Sequence, residues 1–154
     1  MIGAKCVVHF GVDSAEDEKT LLAHLQREHP INQLKAVVDG AELLEFQKQV
    51  WEVHVDDTLR EYIIRFVAAT RSHPDLALGA SPRASLAVFK TAQALAFLRG
   101  RDHVLPDDIK YLIPYTLVHR LIVNPEAELR GRNAHSLVDN LLGEIPLNLG
   151  ELDA

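Results

Sequence analysis

Few side chains in this sequence are placed to do chemistry, and Arg83 stands out among them. It follows Ser81-Pro82 at what reads as a helix start. There Ser81 can cap the first free amides, and Pro82 sits where a missing N–H costs nothing. The first turn of a helix is electrically positive, so a carboxylate stabilises it and a guanidinium mildly opposes it. A helix N-terminus with a cation beside it suits a phosphate. The alternative is that Arg83 reaches outward to water or to a surface carboxylate, and the residues alone leave both readings open.

The remaining candidates are weaker. Cys6 and His9 form one Cys-x-x-His pair, too few ligands for a zinc site, so chance explains it best. The acid pairs Asp56-Asp57 and Asp107-Asp108 stand at expected helix starts, where capping and dipole compensation account for them. His119-Arg120 could contact an anion, though a half-exposed helix end explains it equally well. The chain has no G-x-x-x-x-G-K-S/T phosphate loop, no G-x-G-x-x-G fingerprint and no G-x-S-x-G elbow. It carries no complete active site.

The elements that must position Arg83 can be read from periodicity. The stretch from Gly79 to Gly100 is the centre of the chain. Leu86, Ala87, Val88, Phe89, Ala92, Ala94, Leu95, Ala96, Phe97 and Leu98 occupy nearly every direction around its axis, and a helix apolar all round is expected to be buried. Gly100 ends it by turning left-handed. Upstream, Leu59, Tyr62, Ile63, Phe66, Val67 and Thr70 form one stripe at three-four spacing. Arg71 lies at that helix's C-terminal end, where a cation is favourable. The pattern predicts helices near 14–28, 41–52, 57–71, 81–99, 106–121 (kinked at Pro114) and 133–144. Lys5 to Phe10 is a short β-prone run without a convincing second strand to join. Residues 147–154 read as a loose tail.

Composition sets limits on the function. At 154 residues the chain is one domain, or one domain with a tail. Its 47% apolar and 25% charged residues are ordinary for a globular protein. A net charge of −6 argues against a nucleic-acid surface, which needs clustered Lys and Arg. A single cysteine fits a reducing compartment. With no membrane-length apolar run and no signal peptide, the expectation is a cytoplasmic protein.

Several segments, in their order and spacing, resemble the C-terminal half of a MoxR-type AAA+ ATPase. They are Ala69-Thr70-Arg71, Leu78-Gly79-Ala80-Ser81-Pro82-Arg83-Ala84, Gly100 through Asp108, and His119-Arg120-Leu121. Val53 to Asp57 resembles the same family's lid, and Phe10 to Glu18 its exit from the ATPase core. The lids of magnesium-chelatase subunits share the Ser-Pro-Arg helix start. Leu105 departs from the pattern, since relatives tend to carry Thr there as the helix cap.

The resemblance implies an all-α fold: a helical lid with a short extended N-terminal remnant. Residues 1–12 would be the end of the ATPase core, 13–124 the lid, and 125–154 a C-terminal helix and tail. Arg83 matches the sensor-2 arginine that points at the terminal phosphates of ATP, with Ser81 and Pro82 as its supporting helix start. The phosphate loop and the Mg²⁺-holding acidic strand would lie upstream of residue 1, making this chain a fragment. ATP and Mg²⁺ would belong to the full-length ATPase, with no tight site and no hydrolysis in the fragment alone. Implied partners are the chain's own core, neighbouring subunits of a hexameric ring and a von Willebrand A-type protein, in a chaperone-like or cofactor-inserting role. Two rivals are a nucleotide-independent helical interaction module and, least favoured by the acidic charge, a DNA-associated domain.

Overall fold

The computed structural model describes residues 14–16, 19 and 35–147. The Lys5–Phe10 run, Cys6, His9, most of the 14–28 helix and the tail beyond 147 lie outside them. The described residues fall into two compact units, one up to Gln47 and one from Lys48 onward.

Asp39 caps the helix α1, Gly40–Glu52. Asp39 Oδ1 accepts from the amides of Ala41 and Glu42 at 2.7 and 2.8 Å, and Glu42 returns a bond to the Asp39 N–H. No residue of α1 is buried, so the apolar set Leu43, Leu44, Phe46, Val50 and Trp51 forms no part of the core.

The second unit is a helical bundle. Helix α2, Asp57–Ser72, starts on Asp56, whose Oδ1 accepts from the Thr58 N–H. It buries Leu59, Tyr62, Ile63, Phe66, Val67 and Thr70, the stripe its sequence spacing marks. A short strand β1, Leu76–Leu78, leads to α3, Pro82–Leu98. Gly100, at φ 70°, closes α3 in the left-handed region, as its position foretells. Helix α4, Pro106–Leu117, is followed by one 3₁₀ turn, Val118–Arg120, and by the strand β2, Ile122–Val123. Two helices complete the described residues: α5, Pro125–Leu129, and α6, Ala134–Glu144. Helix α3 packs against α2 and α4, and α6 packs against α4.

One apolar core joins these elements. Its fully buried members include Phe66, Val88, Ile109, Leu117, Leu137 and Val138. Polar ties fasten the connectors to it. The His54 N–H donates to the Asp102 carbonyl at 2.8 Å, and the Val104 N–H to the His54 carbonyl at 3.0 Å. The buried amide of Gln93 donates to the Val53 carbonyl at 2.8 Å.

Three expectations need correction. Strands do form: β1 and β2 pair antiparallel, Leu76 with Val123 and Leu78 with Ile122. Segments of two and three residues are too short to show an alternating pattern. The helix expected over 106–121 ends at Leu117: a 3₁₀ turn follows, then Leu121 and Val123 are buried with Ile122 exposed between them, and Ile122–Val123 pairs as β2. Pro114 lies inside α4 without ending it, and Lys110, whose carbonyl loses its helical N–H partner there, is solvent-exposed. Finally, α3 is not buried all round. Its buried face is the narrow row Ala84, Val88, Ala92 and Ala96 with Gln93, while Leu86 and Leu98 are 38% and 81% exposed.

Candidate functional site

The residues marked by the sequence meet where β1 turns into α3. Ser81 takes the N-cap position with extended backbone, φ −77° and ψ 165°, Pro82 is the first helical residue and Arg83 the second. The cap chemistry expected of Ser81 is absent, since its side chain makes no capping hydrogen bond. Its backbone carbonyl instead accepts from the Ala84 N–H at 2.8 Å. Pro82, with its fixed φ and no N–H to satisfy, is what suits this start to a helix.

The turn is held from behind by the end of α2. The Thr70 hydroxyl donates to the Val67 carbonyl at 2.7 Å and accepts from the Ala80 N–H at 3.0 Å. The Arg71 guanidinium donates to the Ala80 carbonyl at 3.1 Å. Gly79 lies flat against the same helix end. A Cβ there would stand 2.5 Å from Arg71 Cα and 2.5 Å from the Thr70 carbonyl oxygen, both immovable backbone atoms. Arg71 therefore does more than complement the helix dipole, and sequence reasoning missed the Thr70 bond entirely. The usable signal was the joint occurrence of Thr70-Arg71 and Leu78-Gly79-Ala80.

Arg83 is exposed, and its guanidinium makes no hydrogen bond or ion pair to any described residue. The other described arginines are all engaged. Arg60 meets Asp57, Arg65 the Pro146 carbonyl, Arg120 the Thr116 carbonyl, and Arg130 and Arg132 meet Asp75. Arg99 and Arg101 converge on Asp108. No acidic residue lies in the first turn of α3 to balance the Arg83 charge. Arg120, in the 3₁₀ turn, folds back to donate to the Thr116 carbonyl near the end of α4. Desolvation, helped by the Arg120 charge, pushes the His119 ring below its ordinary pKa.

A second cluster braces the far end of α3. Asp108 is buried, takes two hydrogen bonds from Arg101 at 2.7 and 2.8 Å and one from Arg99 at 2.8 Å. Its other contact is the Leu105 N–H at 2.9 Å. Leu105 has no acceptor side chain, so Asp108 caps this helix start from inside, one half of a capping box. Burial pushes the Asp108 carboxyl up, but the bonds from Arg101 and Leu105 and the two guanidinium charges outweigh it and hold it below the usual range.

Clefts of about 340, 490 and 300 Å³ open on the bundle, and Arg83 lines none of them. No three metal-ligating side chains gather among the described residues. The arrangement places an exposed cation, without a partner among the described residues, on a helix start whose preceding backbone is fastened to α2.

Comparison with known proteins agrees with this anatomy. Residues 68–141 match the AAA lid domain family. The chain is 40% identical over 138 residues to the uncharacterized protein YeaC of Bacillus subtilis, covering 90% of this chain and 43% of that protein. It is 33% identical over 150 residues to the chaperone MoxR1 of Mycobacterium tuberculosis, covering 92% and 37%. A crystal structure from Cytophaga hutchinsonii, provisionally named an ATPase, superposes with a TM-score of 0.82 at 29% identity, covering 92% of this chain and 46% of that one. The helical bundle with its single short ribbon is thus an AAA lid domain. More narrowly, the chain belongs to the MoxR type of AAA+ proteins, and it spans less than half the length of these relatives. Among the described residues no helix is long and apolar enough to cross a membrane.

Proposed function

We propose that this chain is the lid of a MoxR-family AAA+ ATPase and that Arg83 is its sensor-2 arginine, directed at the terminal phosphates of ATP. The observation that carries this reading is the state of Arg83: alone among the described arginines it has no partner, and it stands in a helix turn with no balancing acid. Membership in the MoxR type supports it. In this proposal the nucleotide and its Mg²⁺ are held by the core of the full-length protein, with residues 1–12 as its end, 13–124 as the lid and 125–154 as a C-terminal helix and tail. The likeness to the chaperone MoxR1 supports a remodelling role within a ring of subunits, which we take to be hexameric and served by a von Willebrand A-type partner.

Negative charge on the phosphoryl oxygens must be stabilised during transfer, and a positioned arginine does this through charge-assisted, often bidentate, hydrogen bonds. In the full-length ATPase, Arg83→Ala is expected to lower turnover by about tenfold or more. Arg83→Lys should rescue poorly, because an ammonium keeps the charge and loses the planar fork. The melting temperature should hold or rise slightly, since a cation leaves the positive end of a helix. Turnover at the wild-type level would overturn the reading, as would a loss of stability large enough to account for lost activity.

A further inference from the structure

Two peptide units separate the buried Ala80 from Pro82, and Arg83 follows directly. Ala80 is fully buried, and both of its backbone polar groups are fastened to the last turn of α2, the N–H by Thr70 and the carbonyl by Arg71. Gly79 removes the remaining freedom, because the backbone of Thr70 and Arg71 occupies the space any side chain there would need. Pro82 then fixes its own φ. Ser81 adds no side-chain bond at the helix start. The direction in which α3 leaves the turn is therefore set by α2, through Thr70 and Arg71, and not by any cap at the helix itself.

We infer that Thr70 and Arg71 are positioning residues for Arg83: they hold Ala80 at both its peptide groups and so place the guanidinium where it meets its anion. This rests on the reading of Arg83 as the phosphate-contacting residue. Binding energy that a cation makes only at the reacting phosphate is sensitive to its placement, and a displacement of about 1 Å costs on the order of 10²-fold. Thr70→Val keeps the shape of the side chain and removes the hydroxyl, which leaves the buried Ala80 N–H without an acceptor. Thr70→Ser keeps the hydroxyl.

The test is a kinetic cycle in the full-length ATPase with Thr70→Val, Thr70→Ser, Arg83→Ala and the Thr70→Val/Arg83→Ala pair. Thr70→Val is expected to lower kcat on the order of tenfold, with a smaller change in KM, and Thr70→Ser to restore most of it. In the Arg83→Ala background Thr70→Val should cost no further turnover, although it lowers the melting temperature by the same amount in both backgrounds. If Arg83→Ala slows turnover and Thr70→Val does not, or slows it equally with and without Arg83, the positioning role is wrong and the Arg83 reading survives. If Arg83→Ala has no effect, both fall. Arg71→Gln, at an exposed position, carries the same cycle should Thr70→Val fail to fold. Amide exchange gives a readout free of activity: Thr70→Val should speed exchange at Ala80 and Ala84 and leave α6 unchanged, and unaltered exchange at Ala80 and Ala84 overturns the inference.

Discussion

Asp108 shows how one residue can hold two segments at a fixed angle. Its carboxylate is 1% exposed and receives three guanidinium hydrogen bonds and one amide bond, so the end of α3 and the start of α4 are bound to a single anion. Breaking a buried pair from one side leaves the remaining charges unmatched and costs several kcal/mol, reduced here because Arg99 is half exposed. Asp108→Asn is expected to destabilise the bundle by about 3 kcal/mol in urea titrations at neutral pH. The pH dependence has a definite sign. The folded carboxyl lies below its ordinary value of 3.8, so its contribution is complete above that value and is lost as pH falls through the lower, folded one. Stability measured from pH 6 down to pH 2 should therefore drop less steeply in Asp108→Asn than in the wild type. The Tyr62 hydroxyl is the opposite case: fully buried and without a hydrogen-bond partner among the described residues, with burial pushing its pKa up.

At the scale of elements, the fully buried row of α3 is built from small side chains. Ala84, Val88, Ala92 and Ala96 are all 0% exposed and recur every fourth residue, which lets α2 and α4 approach closely. Ala92→Leu forces extra volume into that seam and is expected to cost about 1–3 kcal/mol in chemical denaturation; a smaller loss would mean the neighbouring helices can give way. This is also where the sequence was hardest to read. Helix α2 showed its core face plainly because one side was apolar and the other was not. Apolar residues all around α3 gave no direction: Leu86 and Leu98 proved exposed, while Phe89, Leu95 and Phe97 pack partly buried against the core. The helix starts expected near 106 and 133 and the end expected at Gly100 agree with the structure, because capping effects are local. The strands, the Thr70 hydroxyl bond and the idle side chain of Ser81 depend on what lies across the fold, which spacing along the chain does not encode. At the turn into α3, the sequence marked the helix start at Ser81-Pro82-Arg83 and did not reveal the Thr70 and Arg71 bonds that hold Ala80.

On the scale of the whole chain, the described lid is closed by links between segments far apart in sequence. His54 is tied by backbone bonds to Asp102 and Val104, and Arg65 reaches the Pro146 carbonyl. Asp75 accepts the Asn124 N–H at its carbonyl and meets Arg130 and Arg132 at its carboxylate, while Asn124 Nδ2 donates to the Pro74 carbonyl. The β1–β2 ribbon therefore brackets α3 and α4 like a buckle, and a buckle has a time course. Helices form within about a microsecond, whereas pairing across them must wait for the intervening chain to be gathered in. Closure after the rate-limiting barrier would make the ribbon a brake on unfolding and leave the rate of folding alone. Asn124→Ala should then steepen loss of structure in stopped-flow unfolding while refolding keeps its wild-type rate, and slower refolding would show that the buckle fastens first.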